Sequence, residues 1–163
     1  MGSNKNTYSF EYEEYLNSDA LSPADKALVE AARKVTADAY APYSHFNVGA
    51  VALLKNGQTI NGTNQENASY PVTICAERVL MSAASVLHKD VPIQTMAITY
   101  HNLNGSSIKP ASPCGMCRQA LKEYEDRTKT PIRLLLTGME GKVYVITQSS
   151  QLLPFSFGGD DLK

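Results

Sequence analysis

The chain has 163 residues, the size of one domain with a sizeable core. Its 43% hydrophobic and 19% charged residues are ordinary for a globular domain, and a net charge of −1 gives no sign of a surface for nucleic acid or acidic lipid. The sequence has no apolar run long enough to span a bilayer and opens on no signal-peptide pattern, so neither a membrane partner nor a leader is expected.

Residues 1–20 are polar, then acidic and aromatic, with Tyr8, Phe10, Tyr12 and Tyr15 among Glu11, Glu13 and Glu14. They read as an N-terminal arm to a single domain over residues 21–163. Such an arm docks on its own domain, docks on a neighbouring subunit, or stays partly ordered. Gly2-Ser3 reads equally as native chain or as a cloning remnant.

Ser22-Pro23-Ala24-Asp25 predicts a helix start, with Ser22 as cap and Asp25 as its acid. Ala24, Leu28, Ala31, Val35 and Ala39 recur at helical spacing, and Pro42 ends the helix near Tyr40. Phe46–Leu54 is apolar on both faces, as in a strand covered on both sides. Asn56-Gly57 predicts a hairpin with both central residues at positive φ and a return strand over about 58–62. The polar run Asn64-Gln65-Glu66-Asn67 either meets a hydroxyl-bearing ligand or is a solvated loop.

Thr73 is placed to cap a helix from about Cys75 to His88, with Val79, Leu80, Ala83 and Leu87 facing the core. A strand over 93–100 follows, and a connection of that length implies a parallel right-handed crossover. A helix over about 116–126 and a strand over 132–137 come next. Gly138-Met139-Glu140-Gly141 is too short for a parallel crossover, so the last strand, 142–146, runs antiparallel. A helical turn near 148–153 ends at Pro154. The expected fold is a three-layer α/β/α domain with a five-stranded mixed sheet.

The chemistry-bearing residues sit where strands hand over to helices, the usual ligand end of an α/β sheet. Cys75, Cys114 and Cys117 are all the cysteines of the chain, in a Cys-x-Glu and a Pro-Cys-x-x-Cys motif. A lone C-x-x-C also fits a redox pair or half a zinc ribbon. Three thiolates with no fourth Cys fit a zinc site that keeps one tetrahedral position for water. Glu77, two residues from one ligand, is placed to move that water's protons. Thiols all claimed by one site point to a reducing compartment, hence the cytoplasm. Three thiolates leave the site negative. Arg78, three residues after Cys75, is read either as a donor to the sulfurs or as a surface ion-pair residue, and the N-termini of the two helices add positive charge.

Larger blocks surround these motifs: Ala41-Pro42-Tyr43-Ser44-His45-Phe46-Asn47-Val48-Gly49-Ala50, Asn64 to Tyr70, Cys75-Ala76-Glu77-Arg78, Ser112 to Gln119, and Leu152-Leu153-Pro154-Phe155-Ser156-Phe157. With them the chain resembles the cytidine deaminases of the small, homotetrameric type, and the motif pattern is that of the zinc deaminases. His45 in place of the commoner Lys, and the longer arm, depart from the family pattern. The resemblance implies Cys75, Cys114 and Cys117 as ligands of one Zn²⁺ per chain and Glu77 as proton shuttle. It implies that Asn64 and Glu66 bind the ribose 3′-hydroxyl and that Phe46 packs beside the base. The Ala76 N–H would meet the pyrimidine O2 and the Ser112 carbonyl the amino group. Ala68, Tyr70 and Phe157 would reach a neighbouring subunit's site, although the tail that carries Phe157 also reads as folded back on its own domain. The implied reaction is deamination of cytidine and deoxycytidine to uridine and deoxyuridine in pyrimidine salvage. Rival readings are a deaminase of another base or nucleoside such as a blasticidin-type enzyme, a polynucleotide base editor, and a non-enzymatic zinc module.

Overall fold

A computed structural model describes residues 2–163. In chain order its regular elements are β1 (Glu13–Tyr15), α1 (Pro23–Val35), β2 (Phe46–Leu54), β3 (Thr59–Thr63), α2 (Ala76–Leu87), β4 (Ile93–Asn102), α3 (Gly115–Thr128), β5 (Arg133–Leu136) and β6 (Val143–Ile146), with short 3-10 turns between them. The sheet order is β1-β6-β5-β4-β2-β3. Among the described strands only β4 and β5 are parallel neighbours; the β5–β6 pair is antiparallel, as the short 138–141 link requires. β3 and β4 run the same way, each antiparallel to β2 between them, so α2 carries the chain across β2.

Side-chain alternation builds the layers. Ala50, Ala52 and Leu54 of β2, Met96 and Ile98 of β4, and Leu134 and Leu136 of β5 face α2 and α3. Val51, Ala97 and Leu135, one residue out of step, face α1, where they meet Leu28, Val29 and Ala32. Gly62 of β3 sets the height of α2: a Cβ there would lie 2.5 Å from the Ala76 carbonyl oxygen and 2.6 Å from the Leu80 nitrogen. The first turn of α2, which follows Cys75, therefore lies directly against the sheet.

Several expectations are corrected. The sheet has six strands, not five, because the arm contributes β1, paired with β6 through Glu13, Glu14 and Tyr15. Tyr12 packs edge-on against Tyr144 with centroids 5.1 Å apart, and Lys142 Nζ lies 2.6 Å from Glu14 Oε1. A charged three-residue edge strand has no apolar period to read. α1 ends at Val35, and a 3-10 turn over Thr36–Asp38 releases Tyr40 into an extended bridge with Gln65. The hairpin turn has positive φ at Gly57 (83°) and not at Asn56. Its Gly57 N–H to Leu54 carbonyl bond (2.9 Å) and Leu54 N–H to Gln58 carbonyl bond (2.8 Å) enclose a three-residue loop with a glycine bulge, which moves the return strand one residue on. Thr73 does not cap α2. Cys75 is the N-cap residue and forms no side-chain cap bond, while the Thr73 hydroxyl accepts from the Asn67 N–H at 3.2 Å. The buried face of α2 is Ala76, Glu77, Leu80, Met81 and Ala84; Leu87 is 69% exposed.

Candidate active site and metal centre

Cys75 is the N-cap of α2 and Cys114 the N-cap of α3; neither cap makes a side-chain bond to its helix. Both sulfurs thus sit at helix ends whose first N–H groups carry partial positive charge. Cys117 lies in the first turn of α3 and is fully buried. The three Sγ atoms fall within 4.8 Å of one another, with Cys75–Cys114 at 3.8 Å and Cys114–Cys117 at 3.6 Å. Sulfurs at tetrahedral vertices about 2.3 Å from a zinc ion would be about 3.8 Å apart. The donor set and its spacing therefore fit the ion. Hydrogen bonding with Cys117 draws the Cys75 thiol down to about 6 and pushes Cys117 up; nearby Cys114 and the Arg78 charge also lower Cys75, against burial and the Glu77 charge.

Glu77 lies in the first turn of α2, two residues after Cys75, and is 4% exposed. Burial raises its carboxyl above the ordinary range, only partly offset by hydrogen bonds to its own backbone N–H and to Cys117. It faces a cleft of ≈ 430 Å³ shared by Cys75, Cys114, Asn64, Phe46 and Ser112. Phe46 and Tyr100 stack along one wall, centroids 4.6 Å apart and planes at 11°. Val48 and Ile98 extend the apolar surface, and Lys109 adds a cation. Sequence reasoning missed Tyr100, Val48, Ile98 and Lys109. The register that pairs Phe46 with Asn102 and Val48 with Tyr100 puts Tyr100 beside Phe46, and no local pattern carries that information.

Of the other expected residues, Asn64 lines the cleft with Phe46 and Ser112, whereas Glu66, Ala68, Tyr70, Ala76, Arg78 and Phe157 do not. Asn64 is buried, its Nδ2 donating to the Phe46 carbonyl (2.9 Å) and its Oδ1 accepting from the Val48 N–H (2.7 Å). Glu66 Oε2 accepts from the Tyr43 and Ser44 N–H groups at 2.9 and 3.2 Å; the Ser44 hydroxyl leads in holding its carboxyl below the usual range, and the two N–H bonds and the charge of His45, at φ 56°, add to it against burial. Ala76 is fully buried at the head of α2. Ala68 and Tyr70 lie on the surface, Tyr70 edge-on to Tyr43 at 6.1 Å. Phe157 is 59% exposed, its carbonyl held by Gln119 Nε2 at 2.9 Å. None of these three lines the cleft of its own chain. Among the described residues no hydrogen bond joins Arg78 to a sulfur; its side chain lines a surface hollow between α2 and α3 with Glu123 and Tyr124. Among the described residues no helix is long and apolar enough to cross a membrane.

Comparison with known proteins agrees with this architecture. The family model for the cytidine and deoxycytidylate deaminase zinc-binding region matches residues 22–130. The cytidine deaminase of Halalkalibacterium halodurans is 39% identical over 137 residues, covering 83% of this chain and 96% of that one. The crystal structure of cytidine deaminase from Burkholderia pseudomallei superposes with a TM-score of 0.69 at 37% identity, covering 80% of this chain and 97% of that chain. The blasticidin-S deaminase of Bacillus cereus is 33% identical over 139 residues, covering 84% of this chain and 94% of that one. The chain belongs to the cytidine and deoxycytidylate deaminase family and is an enzyme of that deaminase class, built around a three-cysteine cluster able to hold a metal ion.

Proposed function

We propose that the enzyme hydrolyses the 4-amino group of cytidine and deoxycytidine, giving uridine or deoxyuridine and ammonia, as a cytoplasmic step of pyrimidine salvage. The observation that carries this reading is one cleft where the three-cysteine cluster, through Cys75 and Cys114, meets the buried Glu77 and the aromatic wall of Phe46 and Tyr100. One zinc ion per chain, held by Cys75, Cys114 and Cys117, would supply the Lewis acidity that makes a water nucleophilic near neutral pH.

The rest of the chemistry belongs to the chain. Glu77 takes a proton from the attacking water, delivers it to N3 of the ring as aromaticity is lost, and then serves the departing ammonia. Its burial suits this cycle, because a raised carboxyl releases and regains its proton closer to neutral pH. Phe46 offers its face beside the base. The Ala76 N–H at the head of α2 holds O2, and the Ser112 carbonyl accepts from the amino group. Asn64 retains one N–H and one acceptor site after its bonds to β2, and with Glu66 it binds the ribose 3′-hydroxyl. Arg78 acts on Cys75 through its charge. Residues 21–163 form the catalytic unit and residues 1–20 its arm.

Ala68, Tyr70 and Phe157 stand outside their own cleft, which fits contact with a neighbour's site in a homotetramer. Purified protein is expected to contain one zinc per chain and to release ammonia from cytidine and deoxycytidine. Zinc-free preparations made without chelators, or no release, would refute the reading. Similarity to a blasticidin-S deaminase supports a second substrate class. A kcat/KM for blasticidin S above that for cytidine would favour it. Light scattering should give four chains, and exchange between Glu77→Gln and a severely impaired Phe157→Ala variant should restore activity. A monomeric mass, or no recovery despite proven exchange, would rule out shared sites.

A further inference from the structure

Glu125 is a buried acid that the chemistry above does not use. It lies near the C-terminal end of α3 and is 5% exposed. Its Oε1 accepts three hydrogen bonds: from the Ile132 N–H at 2.8 Å, the Ser149 N–H at 3.0 Å and the Ser149 hydroxyl at 2.8 Å. Its Oε2 has no partner among the described residues. One oxygen thus joins α3, the residue that precedes β5, and the 3-10 turn Ser149–Leu152.

The same turn is gripped from the other end of α3. Arg118 donates through Nη1 to the Leu152 carbonyl at 3.0 Å and through Nε to the Pro113 carbonyl at 2.9 Å. Gln119 then holds the Phe157 carbonyl. Beyond the turn the tail has little apolar anchorage: Phe155 is fully exposed and Phe157 59% exposed. Polar clasps on α3, the helix that begins at the Cys114 cap and carries Cys117, set its path.

We propose that Glu125 is a positioning residue: by holding Ser149 it fixes the register in which the tail presents Phe157 for substrate contact. The inference rests on the reading of Phe157 given above. Glu125→Gln keeps the accepting Oε1 and Glu125→Leu removes it, so the pair isolates the clasp. Both are tested in the full-length, zinc-loaded protein by steady-state kinetics on cytidine and by fluorine NMR of fluorophenylalanine-labelled protein. There are four phenylalanines, assigned one by one through Phe→Leu variants.

Glu125→Leu is expected to narrow the Phe157 signal and to lower kcat/KM by about ten- to a hundredfold, mostly through KM. Glu125→Gln is expected to restore both readouts. An unchanged Phe157 signal in Glu125→Leu, or equal losses in the two variants, would overturn the clasp. A loosened Phe157 with unchanged KM would overturn its role in substrate contact. Failure of the substrate reading is visible separately, as wild-type protein that does not turn over cytidine. If Glu125→Leu does not fold, Ser149→Ala removes one of the three donors; a smaller shift in the same direction supports the proposal, and wild-type behaviour overturns it.

Discussion

Replacing Glu77 with Gln tests the chemistry and the electrostatics of the site together. Gln fills the same volume at a position only 4% exposed, so packing is retained. General acid–base catalysis contributes about 10²–10⁴-fold, and on the proposed mechanism Glu77 serves several proton transfers, so a loss of roughly 10³-fold or more is expected, about 4 kcal/mol of barrier. Stability should move the other way in metal-free protein. Burial raises the Glu77 carboxyl above its ordinary 4.5, so the folded chain binds this proton more tightly than the unfolded chain. The stability tied to that proton is present below about pH 4.5 and is lost as pH rises through the folded value. Gln never ionises and escapes this loss. Chelator-treated Glu77→Gln should therefore melt above chelator-treated wild type at pH 7, with the gap closing in acid. Ammonia release, zinc content and melting curves are measured on the same preparations. A variant with full zinc and more than a tenth of wild-type kcat would refute the shuttle, and a lower metal-free melting temperature at pH 7 would refute the burial reasoning.

Asp25 accepts from Arg133 Nη1 and Nη2 at 2.6 and 3.0 Å and from the Ser22 hydroxyl at 3.0 Å, tying the head of α1 to β5. Burial raises its carboxyl, but the bonds from Arg133 and Ser22 outweigh burial and hold it below the ordinary 3.8. Its contribution is thus present above about pH 3.8 and lost as pH falls through the folded value. With the pair's side chains 31% and 19% exposed, Asp25→Asn should cost about 1–2 kcal/mol at neutral pH, about 2–8 °C in Tm, and nothing in strong acid. Deleting residues 2–16 strips β1 from β6 and bares that sheet edge, so the shortened protein should melt lower and gain mass with concentration in light scattering. Unchanged melting and mass would show that the arm does not protect the edge.

The site was legible where its chemistry is concentrated in rare residues at fixed spacing. Cys75, Cys114 and Cys117 announce a common centre because no other thiol competes, and the structure gathers them. β2 was legible end to end because both of its faces are apolar. Burial by small residues was not. The core face of α2 includes Ala76, held close to the sheet at Gly62, so the stripe read at helical spacing, Val79, Leu80, Ala83 and Leu87, lies to one side of the buried face and ends on the exposed Leu87. The cleft wall depends on cross-strand register, which brings Phe46 and Tyr100 together from residues 54 apart in the chain. No sequence pattern singles out Glu125 as a buried junction, because its three donors, on Ile132 and Ser149, come from segments that only the fold brings near.

If the three cysteines hold zinc as thiolates, as proposed, their charge must be offset, and the structure bears on how. A guanidinium bonded to the sulfurs would be the strongest single device, since hydrogen bonds to charged groups are worth about 1.5–3 kcal/mol. Arg78 makes no such bond among the described residues; its charge acts on Cys75 from the α2–α3 hollow, as the least of the causes that lower that thiol. The two helix ends are closer to the need. Cys75 and Cys114 each occupy an N-cap, so both sulfurs lie at the positive ends of α2 and α3. Each end is worth about 0.3–1 kcal/mol, rising toward ~2 in partly buried geometry. On this account Arg78→Gln should weaken zinc retention by no more than about tenfold, whereas removing a partner that orients the ligands directly costs up to about a hundredfold. Competition with a chelator of known affinity measures the difference. A hundredfold loss would show that the guanidinium reaches the sulfurs once the ion is bound, and that the helix ends alone do not hold the charge.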